Sequence, residues 1–276
     1  MANLEKSLRP DLRIAVVGLG AIGTRVVEAL DQGIDGLVLT AVSVQNPEKH
    51  RSRLANLTRA PAILPIEALV DVADIVIECA PSGLVRSIVA PFVANGKTAI
   101  VLSAGALLDH DDLIELAKQH GGQIVVPTGA LIGLDAVTAA ALGTIHSVRM
   151  VTRKPPGGLA GAPYIVENNI DIDGITEPRK IFDGSAREAA KGFPANVNVV
   201  AALSLAGIGP DRTTIEIWAD PTLTRNTHRI DVESDSARFS MSIENIPSEN
   251  PKTGLITALS VIACLRKLRA SLRVGT

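Results

Sequence analysis

Arg13-Ile14-Ala15-Val16-Val17-Gly18-Leu19-Gly20-Ala21-Ile22-Gly23-Thr24-Arg25-Val26-Val27 begins as a strand and ends as a helix. Arg13–Val17 is apolar and largely β-branched, the pattern of a buried strand. From Ala21 to Leu30 apolar residues recur at Ile22, Val26, Val27 and Leu30, which is a helical stripe. Between the two lies Gly18-Leu19-Gly20-Ala21-Ile22-Gly23, a G-x-G-x-x-G. Alone that motif is weak, but directly after a strand and opening a helix it predicts a dinucleotide site. Gly18 permits the tight turn, Gly20 lets a pyrophosphate approach the backbone, and Gly23 lets helix and strand pack closely. The free N–H groups of the helix start, from Ala21, Ile22 and Gly23, then face the phosphates.

The same alternation continues through the first half. Strands are expected at Leu37–Val44, Asp74–Cys79, Thr98–Leu102 and Gln123–Val126, with helices over Gly83–Val93 and Asp109–His120. Runs of Val and Ile alternating with helices imply a parallel sheet covered on both faces. After Val126 the pattern changes. Ser147–Arg153 reads as a strand, Ala186–Lys191 and Asn198–Leu205 as helices, and Thr213–Ala219, His228–Glu233 and Phe239–Glu244 alternate as antiparallel strands do. Asn250-Pro251 opens a last helix to about Leu272, with Leu255, Ile256, Leu259, Ile262, Ala263 and Leu268 as its apolar stripe. The fold class is therefore α/β: a Rossmann-type doubly wound parallel sheet with a second α+β domain.

Composition excludes several function classes. The 276 residues suit two modest domains. Lys+Arg 27 against Asp+Glu 29 leaves a net charge of −2, without the basic excess of a nucleic-acid binder. Aromatic residues are 2% of the chain, too few to stack bases. Mean hydropathy is +0.27, yet no window approaches a membrane span, and the N-terminus lacks a signal-peptide apolar core. Two cysteines, Cys79 and Cys264, build neither a disulfide framework nor a metal cluster. A soluble cytoplasmic protein with no metal, nucleic-acid or membrane partner is expected.

Several residues are candidates for chemistry. Where an NAD-specific fold places Asp or Glu after its second strand, this chain has Ser43-Val44-Gln45-Asn46. Gln45 is the expected ribose contact. Lys49, Arg51 and Arg53 just beyond it are either 2′-phosphate partners or a solvated loop face, so the cofactor is NAD or NADP. Glu78-Cys79-Ala80 ends a strand, where Ala80 would line the nicotinamide side and Cys79 carries no chemistry. Arg153 and Lys154 end a strand before a Pro-Gly loop, placed to hold carboxylates or simply to be solvated. Among His50, His110, His120, His146 and His228, the last stands at the entry of a substrate-domain strand, within Arg225-Asn226-Thr227-His228.

Longer strings point further. They include Val126-Pro127-Thr128-Gly129-Ala130-Leu131-Ile132-Gly133, Thr152-Arg153-Lys154-Pro155-Pro156 and Phe182-Asp183-Gly184-Ser185-Ala186-Arg187-Glu188-Ala189. Phe193-Pro194-Ala195-Asn196-Val197-Asn198-Val199, Leu205-Ala206-Gly207-Ile208-Gly209, Asp220-Pro221, Arg225-Asn226-Thr227-His228 and Asn250-Pro251-Lys252-Thr253 follow in order. Together with the Gly-rich loop, the chain resembles the L-aspartate dehydrogenase family, related in fold to homoserine dehydrogenase. The resemblance implies cofactor contacts at the Gly-rich loop, Ala130 and Asn198, a catalytic histidine at His228, and substrate contacts at Lys154 and Asn226. It implies interconversion of L-aspartate with iminoaspartate, then oxaloacetate and ammonia, by a homodimer, with a possible place in NAD biosynthesis. Residues 1–133 with 251–276 would form the dinucleotide domain, and 134–250 the substrate and oligomerisation domain. Two departures stand out: no acidic residue follows the second strand, and Gly254 replaces the Ser of a Lys-Thr-Ser motif. A dehydrogenase of another amino or oxo acid, or an NAD(P)-binding sensor without turnover, remains open at this level.

Overall fold

The computed structural model describes residues 10–248 and 254–275. Their contacts divide into two units. One holds the chain up to Val101, Asp112–Val125 and Ile262–Leu272; the other holds Leu102–Asp111, Val126–Val261 and the chain from Arg273.

The first unit runs β1 (Leu12–Val17), α1 (Ala21–Asp31), β2 (Leu37–Ser43), α2 (Pro47–Ala55), β3 (Ala62–Ile63), α3 (Leu69–Val72), β4 (Ile75–Glu78), α4 (Val85–Ala94) and β5 (Thr98–Val101). A short helix of the second unit, α5 (Ala104–Leu107), follows, then α6 (Asp111–His120) and β6 (Gln123–Val125). The sheet order is β3-β2-β1-β4-β5-β6, all parallel. Ile14–Val17, Ile75–Ile77 and Ala99–Val101 are buried, as strands covered on both faces must be. The Arg13 guanidinium grips Asp74 at 2.7 Å, fixing the start of β1 to the chain entering β4, and holds that carboxyl below its ordinary range. The order of strands reverses between β1 and β4, so the crevice for a ligand opens beyond their carboxyl ends. This is the expected Rossmann-type sheet.

The second unit continues with α7 (Leu134–Ala140), β7 (Ile145–Lys154), α8 (Pro163–Glu167), β8 (Arg179–Ser185), α9 (Ala186–Gly192), α10 (Asn198–Ala206), β9 (Thr213–Ala219), β10 (Asn226–Ser234) and β11 (Arg238–Asn245); the last helix, α11 (Leu255–Arg269), is divided, its residues up to Val261 in this unit and the rest in the first. Its sheet order is β11-β10-β7-β9-β8. Register places Val148, Val232 and Phe239 in one row across the sheet, and Met150, Ile230 and Met241 in the next. These rows pack with Ile215, Ile217, Val200 and Leu203 into one core. Tyr164, Phe182 and Phe193 meet at 5.2–5.6 Å between ring centroids and close that core beside α8 and α9. The other sheet face carries charge, with Arg149 on Glu216 at 2.5 Å and Arg229 on Asp231 at 3.1 Å.

Four readings of the sequence change. Lys49, Arg51 and Arg53 lie on a helix, α2, not a loop. Asn46 Oδ1 caps it by accepting from the Lys49 N–H at 3.3 Å, and Pro47 suits its first turn. Only Leu54 of that helix is buried, so it carries no apolar period to read. Arg179–Ser185 is a strand, whose Asp183-Gly184 looks like a turn. β9 pairs parallel with β7, because a long crossover of helices and β8 separates them, so the sheet is mixed rather than antiparallel. The stripe of α11 is out of phase: Ala258, Val261 and Leu265 are its buried face, while Leu259 is 54% exposed. That helix is apolar nearly all round, which hides its period. Its expected start, and the Asn250-Pro251-Lys252-Thr253 string, lie outside the described residues.

Candidate active site

In the first unit, the end of β1 turns through a glycine loop into the start of α1. Gly18 has φ of +90°, and a Cβ there would strike the Cys79 carbonyl. A Cβ on Gly23 would strike the Gly18 carbonyl, so α1 can pack this close only without one. Above Gly20 there is open space, with no atom within 4 Å of a built Cβ. Gly20 is the N-cap of α1 and supplies no side-chain cap, which leaves the N–H groups of Ala21, Ile22 and Gly23 facing outward for an anion. Ala80 follows β4 beside this loop, its N–H donating to Glu78 Oε1 at 3.0 Å. Burial raises the Cys79 thiol, away from its reactive form. Gln45 is exposed just after β2, Asn46 is engaged as the α2 cap, and Arg51 is paired with Glu48 at 2.6 Å. Arg53 reaches Thr24 Oγ1 on α1 at 3.2 Å. The cradle fits a dinucleotide's pyrophosphate.

In the second unit, the inner face of the sheet turns from apolar to polar at one end. The row after Met150 and Ile230 is Thr152, His228 and Ile243; the next is Lys154, Asn226 and Asn245. These inner positions continue the same two-residue alternation as the core, so their side chains stay on the same face. Thr152, Lys154, Asn226, His228 and Asn245 are all buried. Thr152 Oγ1 lies 3.1 Å from His228 Nδ1. Lys154 Nζ donates to Asn196 Oδ1 at 2.7 Å. Burial, with the Lys154 cation beside it, pushes the His228 imidazole down to about 3, so the ring is neutral at physiological pH. Lys154 of β7 is therefore brought together with Asn226 and His228 of β10.

Around this patch the backbone is pinned. Asn245 Nδ2 donates to the Ala130 carbonyl at 3.0 Å, and the Gly129 N–H donates to Ser260 Oγ at 3.0 Å. Asn198, exposed at the start of α10, accepts from the Gly105 N–H at 3.1 Å. Among the described residues no group of three or more His, Cys, Asp or Glu is placed to hold a metal ion, and no helix is long and apolar enough to cross a membrane.

Residues 18–127 match the homoserine dehydrogenase NAD-binding domain, and residues 135–268 match the C-terminal domain of aspartate dehydrogenase. An L-aspartate dehydrogenase of Bradyrhizobium diazoefficiens is 66% identical over 99% of this chain and 97% of its own length. The chain belongs to the L-aspartate dehydrogenase family. Another member, L-aspartate dehydrogenase 3 of Bordetella bronchiseptica, is 56% identical over 98% of this chain and all of its own length. The family likeness extends to architecture: the crystal structure of aspartate dehydrogenase from Thermotoga maritima superposes with a TM-score of 0.74 at 23% identity, covering 96% of this chain and 99% of that one. An archaeal homoserine dehydrogenase in complex with NADPH shares the fold at a TM-score of 0.60, over 96% of this chain and all of that one. Beside the residues expected for this family from sequence, the structure adds Thr152, Asn196 and Asn245. The signal for Thr152 was present, since a polar residue at a core position of a strand needs a partner. Asn196 and Asn245 carry no such signal in one sequence.

Proposed function

We propose that the protein is an NAD(P)-dependent L-aspartate dehydrogenase, interconverting L-aspartate and iminoaspartate, and through it oxaloacetate and ammonia. The observation that carries this is the polar end of the second unit's sheet, where a neutral imidazole and a lysine stand side by side in a chain of this family. The first unit is the dinucleotide domain, with Gly18, Gly20, Ala21, Ile22 and Gly23 on the pyrophosphate, Gln45 on the adenosine ribose and Ala80 toward the nicotinamide. The second unit is the substrate domain, in which Ala130 and Asn198 are the cofactor contacts and Lys154 and Asn226 the substrate contacts. The protein works in the cytoplasm as a homodimer, and its iminoaspartate suits it to supply NAD biosynthesis.

The chemistry sets what these residues must do. An ammonium nitrogen has no lone pair to push out a hydride, so the amine must first lose a proton. His228, neutral as the structure holds it, accepts that proton. The bound nicotinamide supplies the hydride acceptor. Lys154 meets a substrate carboxylate through a charge-assisted bond, and Asn226 beside it offers an amide. Burial is the main cause that depresses His228, and a carboxylate set against Lys154 offsets the smaller contribution of that cation, so the ring takes up a proton more readily as substrate arrives. Water adds to the iminium carbon and sheds a proton to solvent, and the protonated ring returns its own proton to the carbinolamine nitrogen, which then leaves as ammonia.

The test is NADH and NADPH oxidation with oxaloacetate, with and without ammonium. Turnover that requires ammonium is expected, with L-aspartate supporting the reverse at alkaline pH. Turnover independent of ammonium would make the enzyme a hydroxy-acid dehydrogenase and end this reading.

Cofactor choice follows from the end of β2. Gln45 brings no charge against a 2′-phosphate, and the nearby Glu48 is neutralised by Arg51. NADPH should be accepted with kcat/KM within about a hundredfold of NADH. Gln45→Asp should shift preference toward NADH by like-charge repulsion. Wild-type exclusion of NADPH by several thousandfold would refute the assignment of this end of the site.

A further inference from the structure

We propose that Thr152 is the positioning residue of His228, and that its hydroxyl, by accepting from Nδ1, holds the ring with Nε2 turned to the substrate. The inference rests on the acid–base reading of His228. The two residues face each other in register on β7 and β10, and Thr152 Oγ1 lies 3.1 Å from Nδ1. Thr152 is 1% exposed and His228 3%, so neither has bulk water as an alternative partner. With Nδ1 committed to Thr152, Nε2 is the nitrogen left for substrate.

The chemical identity of the partner matters. A carboxylate on Nδ1 accepts only; it fixes the proton on Nδ1 and strengthens the cationic ring. A hydroxyl has one donor and two acceptor sites. When the ring carries its proton on Nδ1, Thr152 accepts, and Nε2 presents a lone pair that can take a proton from an amine. Once Nε2 has taken that proton the ring is cationic; Thr152 still accepts from Nδ1, and the Nε2 proton can be given back to restore the neutral ring. The hydroxyl accepts in both states with no movement of the strands. It carries no negative charge, so it orients a histidine that is base in one direction and acid in the other without locking it as the cation.

The surroundings leave Thr152 this role. From β7 the neighbouring charged side chain on this face is Lys154, and from β11 Ile243 and Asn245 are uncharged. Ile217 of β9 lies across from Thr152 on its other side. Lys154 disfavours the cationic ring without choosing between the neutral forms. Thr152 is the group in hydrogen-bond contact with Nδ1.

The test compares Thr152→Val, which keeps the shape and removes the hydroxyl, with Thr152→Ser, which keeps the hydroxyl. In the full-length enzyme with NADH, oxaloacetate and ammonium, T152V should lower kcat by about 10–100-fold, the scale on which an orienting partner of a functional histidine acts. Its pH profile should shift while KM for NADH holds, and T152S should keep both kcat and profile near wild type. Nitrogen-15 spectra of labelled histidine give a readout apart from turnover. In T152V the neutral His228 ring should collapse to the Nε2–H form, because a buried acceptor without a partner is tolerated better than a buried donor. Unchanged kcat, pH profile and spectra in T152V, with His228→Ala impaired, would overturn the positioning role alone. His228→Ala without effect would sink the acid–base reading and this inference with it. If T152V does not fold, T152S decides: a folded T152S that loses kcat on the T152V scale shows that the methyl group, not the hydroxyl, is what matters.

Discussion

His228→Ala is expected to lower kcat by ~10²–10⁴-fold, the usual contribution of a general acid–base. The affinity for NAD(P)H should stay near wild type, because the cradle at Gly18–Gly23 belongs to the other unit. The pH dependence of kcat should flatten, since the titrating group is gone. A histidine that merely held a carboxylate would behave differently, raising KM with kcat preserved. Wild-type kcat with its pH dependence intact would remove His228 from the chemistry. Stability carries a second signature. The folded-state imidazole sits at about 3, below the ordinary 6.5, so between those values the unfolded chain binds the extra proton. This contribution to stability is present above pH 6.5 and is lost as pH falls toward 3. Denaturant unfolding of the variant should show less of that acid sensitivity than wild type.

Lys154→Met should act on binding. Truncating one partner of a buried charge pair costs about 2–5 kcal/mol, so KM for oxaloacetate and L-aspartate should rise by roughly 30-fold to several thousandfold. The effect on kcat should be smaller than in His228→Ala. The variant leaves the burial that mainly depresses the imidazole but removes the positive neighbour that adds to it, so the acidic limb of kcat/KM should move to higher pH. Saturation kinetics across pH with both substrates reads both effects. Unchanged KM would mean that the substrate carboxylates are held elsewhere.

Much of the first unit was legible because its signals are local. The turn at Gly18, the close packing at Gly23 and the buried runs of β1, β4 and β5 follow from short stretches read in order. What escaped was structure without an apolar period. The α2 helix is held by the Asn46 cap and by charge pairs, and α11 is apolar on too many sides to reveal which face is buried. The second unit's site was half legible. His228, Lys154 and Asn226 stand in recognisable strings, but their meeting depends on the register of β7 with β10, which no single strand encodes. The alternation does mark the place. Val148, Met150, Thr152 and Lys154 occupy one face of β7, and Val232, Ile230, His228 and Asn226 one face of β10. In each the hydrophobic series gives way to polar residues that remain buried, and such residues require partners. Asn196 and Asn245 arrive from distant segments, and only the folded chain shows what they touch.

The guanidinium of Arg269 donates to the Gly36 carbonyl in the turn before β2, 233 residues away in sequence. The first unit is thus completed by Ile262–Leu272, after nearly all of the second unit has been made. At synthesis rates of about 5–20 residues per second, ~10–50 s separate the two halves of this contact on the ribosome. During that interval the parallel sheet has emerged while the chain segment that finishes its unit does not yet exist. The second unit, nearly continuous from Val126 to Val261, meets no such delay. Order of emergence and order of completion are therefore reversed: the domain that begins the chain is the last to be finished.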